Sequence, residues 1–145
     1  MLGQQFLSDL AGNRIGFDLV EELAEHYDAS IGATALRAAS LAPTDSLLIC
    51  IEPGTKPSEP DADPVPRIRW SSTNGDWPYI PRFKSIPEHS PIQRAFLGEL
   101  VDETNDLIGF TGPSIDDVDI SCRLYPYFDN HGELHHRVLC LATRK

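Results

Sequence analysis

Positive charge is scarce in this sequence, and the scarcity excludes several classes of protein. The 145 residues include 22 Asp and Glu against 12 Lys and Arg, a formal net charge of −10. Tight nonspecific binding to nucleic acid needs several cations on one face, and no run of basic residues occurs. Stretches of about 18 consecutive apolar residues are also missing, so the sequence predicts no membrane span.

Cysteine is rare as well. The three cysteines are odd in number and widely spaced, and they lie in apolar runs at Cys50, Cys122 and Cys140. This usage is typical of reduced core residues in a cytoplasmic protein. The first residues, MLGQQFLSDLAG, contain neither a basic nor a long apolar region, so we expect no signal peptide.

The usual motifs of catalysis are also missing. The sequence contains no HExxH, no Gly-rich phosphate loop and no Gly-x-Ser-x-Gly around Ser114. Cys50 and Cys140 have no neighbouring His or Lys that would lower the pKa of a nucleophilic thiol. We therefore predict no catalytic residue, no metal ligand and no cofactor in this chain.

The first third of the chain, residues 1–43, has a helical pattern. Apolar spacing predicts a short helix around Phe6–Leu10, and a second helix begins where Asp18 can cap it. Ser30 is a good N-cap for a third helix, and Pro43 marks the end of that helix. These residues predict a segment like a helix-turn-helix, with the turn at Asp28.

Residues 44–145 have the pattern of an α+β domain. Short apolar or alternating runs predict strands, and one capped amphipathic stretch predicts a helix. The predicted fold is a mostly antiparallel sheet like that of GAF or PAS domains, with one main helix. The expected strands are Asp45–Glu52, Arg67–Thr73, a segment near 106–112, Asp117–Phe128 and Leu134–Arg144, the last two forming a hairpin around Gly132; the helix is Ser90–Glu103.

The helix-turn-helix pattern has two interpretations. Base readout requires long polar side chains in the first half of the second helix, where this sequence has Gly32, Ala33 and Thr34. Packing or protein binding is therefore favoured over DNA readout, with Arg37 available to pair with a glutamate of the preceding helix. The residues assigned to this packing element are Leu23, Ala24, Tyr27, Ser30, Thr34 and Arg37.

A histidine group near the C-terminus offers a metal site as one hypothesis. His131 and His135 have the spacing of metal ligands on a helix. The sequence Asp-Asn-His-Gly breaks helices, however, so we favour a solvated hairpin in which Asp129 and Glu133 are turn residues.

Basic and aromatic residues alternate in only one region of the chain. They could form a pocket for a small anionic ligand or a surface for a partner, or they could anchor a proline-rich loop over the sheet. The candidate surface comprises Arg67, Arg69, Trp70, Trp77, Tyr79 and Arg82, with Phe83 and Lys84 beside them.

Between Leu23 and Phe96 the chain contains three distinctive stretches: LAEHYDASIGATALRAASLAPTDSLLICIE, then RIRWSST and IPEHSPIQRAF. They resemble the C-terminal part of the ImmA/IrrE family of zinc metallopeptidases, and the resemblance covers about Phe6 to Phe96. The resemblance implies a peptidase domain with an HExxH helix upstream of this region, and a GAF-like last domain in the radiation-response members. The resemblance assigns peptidase activity to no residue of this chain, because the zinc ligands would lie upstream of Met1.

The sequence thus predicts a non-catalytic regulatory or protein-interaction module related to the C-terminal half of these peptidases, acting in stress response or repressor control. The expected partner is a repressor or the chain's own peptidase domain, and zinc would belong only to such an upstream domain. The alternatives are a GAF-type sensor of a small-molecule effector and a helix-turn-helix transcriptional regulator.

Overall fold

The computed structural model describes residues 16–87, 90–107 and 115–144. The chain is α+β, as predicted, and the helix expected at Phe6–Leu10 lies outside the described residues. None of the described helices is long and apolar enough to cross a membrane. In chain order the elements are α1 (Phe17–His26), α2 (Ile31–Leu41), β1 (Ser46–Gly54), β2 (Val65–Asn74), α3 (Pro91–Phe96), β3 (Val101–Leu107), β4 (Ile115–Leu124), β5 (Tyr127–Phe128), β6 (Leu134–His135) and β7 (Val138–Arg144).

Five strands form one sheet in the order β2-β1-β7-β4-β3, and every pair in it is antiparallel. β1 and β7, the first and last of the described strands, therefore lie side by side near the centre. The predicted C-terminal hairpin is confirmed, because β4 pairs with β7 from Val118↔Arg144 to Leu124↔Val138. Its tip is a separate two-stranded ribbon of β5 and β6.

Both faces of the sheet are covered. Successive side chains of a strand point to opposite faces, and in β1 and β7 the side chains on both faces are apolar. One face packs under α3 and the segment around Ile80; the other packs under α1 and α2. The strands contribute two sets of side chains to these clusters. The cluster under α3 contains Leu47, Ile49, Ile51, Val138 and Cys140. The cluster under α1 and α2 contains Leu48, Cys50, Leu139 and Leu141.

The turn between α1 and α2 has the geometry that its sequence predicts. Asp28 adopts a positive φ of 51°, and the backbone N–H of Ala29 donates to the carbonyl of Ala24 over 2.9 Å. This is the hydrogen bond of a Schellman motif, which closes a helix on a left-handed residue. Ser30 then caps α2, because its Oγ accepts from the Ala33 N–H over 3.1 Å.

The start of α1 differs from the prediction. Gly16 rather than Asp18 is the N-cap residue, and it makes no side-chain cap. The Phe17 N–H instead donates to Oγ of Ser121 on β4 over 2.9 Å, so the strand caps the helix. A contact between residues so distant in sequence leaves no local signal, which is why the prediction was wrong.

A buried arginine next to this cap links α1 to the sheet through ion pairs. Arg123 on β4 is 4% exposed, and its Nη2 lies 2.6 Å from Asp102 Oδ2 and 3.2 Å from Asp18 Oδ1. Its Nη1 donates to the carbonyl of Val101 over 3.0 Å. Oγ of Ser121 completes the network by donating to Asp102 over 2.7 Å.

The helix predicted over Ser90–Glu103 is wrong in its second half. The helix α3 ends at Phe96, Gly98 follows with a positive φ of 92°, and Val101 opens an edge strand. The amphipathic spacing continued beyond Phe96, but pairing of Val101 with Cys122 on β4 overrides it. The residues expected to end a helix therefore begin β3.

We expect Arg123→Ala to lower the free energy of unfolding by about 2–4 kcal/mol, because it removes charge-assisted bonds made by a buried group. Urea unfolding followed by circular dichroism measures the change. The matched control is Arg94→Ala. Arg94 also contacts two carboxylates, those of Glu99 and Glu103, but its side chain is 33% exposed. That change should lower the free energy of unfolding by at most about 1 kcal/mol. Equal losses for the two variants would contradict the stabilising role of Arg123.

Ser30→Ala should destabilise the protein by about 1 kcal/mol, because the first turn of α2 loses its side-chain cap. Ser40→Ala is the control within the same helix. Its Oγ donates to the Leu36 carbonyl four residues back, an arrangement that contributes little to helix stability. Urea unfolding of both variants checks the cap, and equal losses would contradict it.

Candidate functional site

The sheet divides the predicted basic and aromatic surface. Trp70 on β2 packs against the cluster under α1 and α2, whereas Trp77 packs against the cluster on the opposite face. Nε1 of Trp77 donates to the Asn74 carbonyl over 3.1 Å, and the Arg144 guanidinium lies 4.3 Å from its ring centroid. Tyr79 is 81% exposed. The two tryptophans therefore share no pocket, and the loop-anchoring interpretation describes Trp77 well.

The arginines of that surface remain together at the outer edge of β2. A segment at 83–86 runs antiparallel to the edge: the Phe83 N–H donates to Ile68 over 2.8 Å, and the Ile68 N–H donates to Lys84 over 2.9 Å. Two adjacent cavities, of about 420 and 210 Å³, open between this segment and the loop after β1. We call the two cavities together the basic cleft. Its larger part is lined by Lys56, Pro57, Ser58, Pro81, Arg82, Phe83, Lys84 and Ser85, and its smaller part by Glu52, Pro53, Gly54, Thr55, Arg67, Ile68, Arg69 and Phe83.

Positive charge is concentrated in the basic cleft. Of the 12 Lys and Arg in the chain, five line it, namely Lys56, Arg67, Arg69, Arg82 and Lys84. Glu52 supplies a carboxylate only to the smaller cavity, where its Oε2 lies 3.8 Å from Nε of Arg69 and its Oε1 accepts from the Tyr127 hydroxyl over 2.7 Å. A chain with a net charge of −10 thus presents a locally cationic surface.

Arg67 joins the two walls of the cleft. Its Nε donates to the carbonyl of Gly54 over 3.3 Å, and its Nη1 donates to the carbonyl of Phe83 over 3.1 Å. Arg82 is held in place as well, because its Nε donates to the Arg69 carbonyl over 3.0 Å and its guanidinium lies 4.9 Å from the Phe83 ring centroid. The width of the cleft and the position of one of its cations are therefore fixed.

Phe83 has a strained backbone at the point where the two cavities meet. Its φ is 67°, which is a genuine outlier for a bulky residue and costs about 1–3 kcal/mol. Such strain persists where neighbouring contacts enforce it. Here the Phe83 N–H donates to the Ile68 carbonyl, and the Phe83 carbonyl accepts from the Arg67 guanidinium. Backbone strain of this kind concentrates at binding sites, which supports the cleft as the candidate site.

Four of the six residues assigned to the helix-turn-helix element lie at or beside the contact between α1, α2 and the sheet. Leu23 and Ala24 are each 4% exposed, Thr34 is fully buried, and Tyr27 packs at the border of the cluster. Arg37 is exposed, and among the described residues it forms no salt bridge with the glutamates of α1. The first half of α2 thus presents no long polar side chain to solvent.

The histidine group lies at the tip of the C-terminal hairpin. Gly132 has the expected positive φ of 79°. Oδ1 of Asp129 accepts from the backbone N–H groups of His131 and Glu133, over 2.8 and 3.0 Å, and its Oδ2 lies 2.7 Å from Nε2 of His135. Ligand atoms of Asp129, Glu133 and His135 come within 4.8 Å of one another. Both oxygens of Asp129 are engaged in closing the turn, so these contacts account for the arrangement without a metal.

The thiols are buried in the sheet. Cys50, Cys122 and Cys140 are all free, and each is fully buried. Burial raises the pKa of Cys50 to about 12 and also raises the pKa of Cys122. At neutral pH both thiols are therefore protonated and weakly nucleophilic.

No family model matches this sequence, and no curated protein matches it. The resemblance to ImmA/IrrE proteins therefore remains a prediction.

Of the five cations of the basic cleft, only Lys56 was not predicted from the sequence. It lies in a proline-rich loop that has the composition of a solvated connection, and nothing in its neighbours indicates a site. It contributes because the loop folds beside residues 81–85 at the edge of β2.

We expect all three thiols to react slowly with iodoacetamide in the native protein at neutral pH, and completely after unfolding in guanidinium. Peptide mass spectrometry assigns the sites, and rapid alkylation of native Cys50 would contradict the buried position.

The pKa of Cys50 is raised in the folded state from 9.0 to about 12. Its contribution to stability is therefore present below the unfolded pKa, and the free energy of unfolding should fall as pH rises between these values.

Proposed function

We propose that this chain is a non-catalytic regulatory module that binds a partner or effector through the basic cleft. One observation carries the proposal: five of the 12 cations of an acidic chain line two joined cavities. A cationic site of this kind fits an anionic group, because opposite charges favour encounter and fix orientation. The fixed positions of Arg67 and Arg82 reduce the entropy lost on binding.

The first candidate partner is a protein. We infer a relationship to the C-terminal half of ImmA/IrrE metallopeptidases, in which the partner is a repressor or the peptidase domain itself. Zinc and proteolysis belong to that peptidase domain in this proposal. Three free, buried cysteines fit a protein of the reducing cytoplasm.

The second candidate is a small-molecule effector, as in a GAF-type sensor. The larger cavity favours it, because a volume of about 420 Å³ lies within the usual range for ligand pockets. The cleft is at the edge of the sheet, so a bound molecule would contact the loop after β1 and the segment 81–85 together.

A third candidate, sequence-specific DNA binding by α2, has less support. The buried side chains of α2 include Thr34 and Ala35, which a reading helix would present to the major groove. The net charge of −10 also repels phosphates.

We expect the purified chain to bind its protein partner with an affinity that depends on the basic cleft. The measurement is biolayer interferometry with an immobilised repressor and, separately, a peptidase domain of the ImmA/IrrE type. Arg82→Ala should weaken binding about tenfold or more, because it removes a charged group from the interface. Arg37→Ala is the matched control, since this arginine is exposed and lies on α2.

Two outcomes would count against the proposal. Stoichiometric zinc in the purified chain, together with repressor cleavage, would show a peptidase instead. Salt-dependent DNA binding that is lost on Arg37→Ala but kept on Arg82→Ala would favour the DNA-binding alternative.

A further inference from the structure

We propose that the larger cavity of the basic cleft is a phosphate site, and that its ligand is a small phosphorylated organic molecule. The inference rests on the proposed function, because it assigns a ligand class to the same cleft. It goes further in separating the two cavities, which differ in charge and in lining.

The charged side chains that line the larger cavity are all cationic. Lys56, Arg82 and Lys84 line it, and among the described residues no carboxylate does. The smaller cavity is different, because Glu52 lies there beside Arg69. An anion in the larger cavity therefore meets cations and no lining carboxylate among the described residues, whereas Glu52 offsets part of the positive charge in the smaller cavity.

The donors that remain in the larger cavity suit a phosphate group. Nε of Arg82 is engaged with the Arg69 carbonyl, so the two terminal nitrogens of its guanidinium remain to bind paired oxygens. Each lysine ammonium adds three rotatable donors. No described residue forms a salt bridge with Lys56 or Lys84, so both charges are available to a ligand.

The charge of a phosphate group matches this arrangement better than a single carboxylate does. A phosphate monoester has a charge of about −1.5 to −2 at neutral pH and three acceptor oxygens. The three cations that line the larger cavity can together bind such a compact dianion. An acidic peptide distributes single charges along an extended chain, and a cavity of about 420 Å³ accommodates only a short part of one.

The rest of the lining indicates that the phosphate is attached to an organic group. Pro57, Pro81 and Phe83 supply apolar lining beside the cations. A phosphorylated molecule can place its charged end among the cations and its remaining surface against these apolar residues. Arg67 maintains the spacing of the walls and is thus a positioning residue.

The test is isothermal titration of the full chain with adenosine monophosphate, adenosine, inorganic phosphate and citrate. We expect adenosine monophosphate to bind, inorganic phosphate to bind more weakly and to compete with it, and adenosine not to bind. Affinity should fall as pH drops below about 6, where the phosphate loses its second charge. Tighter binding of citrate than of either phosphate compound would overturn the assignment to phosphate.

Variants locate the site. Arg82→Ala and Lys84→Ala should each weaken the binding of adenosine monophosphate about tenfold, whereas Arg37→Ala should leave it unchanged. Arg82 and Lys84 are exposed, so both variants should fold, which circular dichroism confirms. Arg67→Lys should weaken binding while retaining the charge, because a lysine cannot bond both walls in the same geometry.

The failure of this inference differs from the failure of the proposed function. If neither phosphate compound binds but the protein partner still depends on Arg82, only the phosphate assignment is wrong. If partner and phosphate binding are both unaffected by Arg82→Ala and Lys84→Ala, the cleft is not the site and both proposals are wrong.

Discussion

The pairing of β1 with β7 is the constraint on which the rest of the structure depends. These two strands are apolar on both faces, with Leu48 and Leu139 on one and Leu47 and Val138 on the other. A sheet with such a centre is stable only if both faces are covered, because each exposed apolar side chain would lose about 1.5–3 kcal/mol of burial energy. The helices α1 and α2 cover one face, and α3 with the segment around Ile80 covers the other.

The edges of the sheet are protected in a different way. The edge strand β3 contains Asp102 and Glu103, whereas the opposite edge strand β2 contains Arg67 and Arg69. Charged side chains on an edge strand disfavour pairing with a strand of another chain. The basic edge is also partly covered by residues 83–86, and this cover creates the basic cleft. Protection of the edge and formation of a binding surface thus have the same structural origin.

Local sequence signals predicted elements whose causes are local. The Ser30 cap and the positive φ of Gly132 follow from side-chain and backbone preferences within a few residues, and both were predicted correctly. The extent of α3 was not, because pairing with β4 converts the residues after Gly98 into a strand. The capping of α1 by Ser121 likewise depends on a contact across most of the chain.

For the candidate site, the sequence by itself determined the chemistry: Arg67, Arg69 and Arg82 are a local concentration of cations on an acidic chain. Only the tertiary structure decided which of them act together. Trp70 lies on β2 and Trp77 lies beyond the end of that strand, and the two pack on opposite faces of the sheet although they are close in sequence. Folding of the loop after β1 beside residues 81–85 added Lys56 to the site. Composition fixes which groups are available, whereas their distances depend on contacts between segments that are remote along the chain.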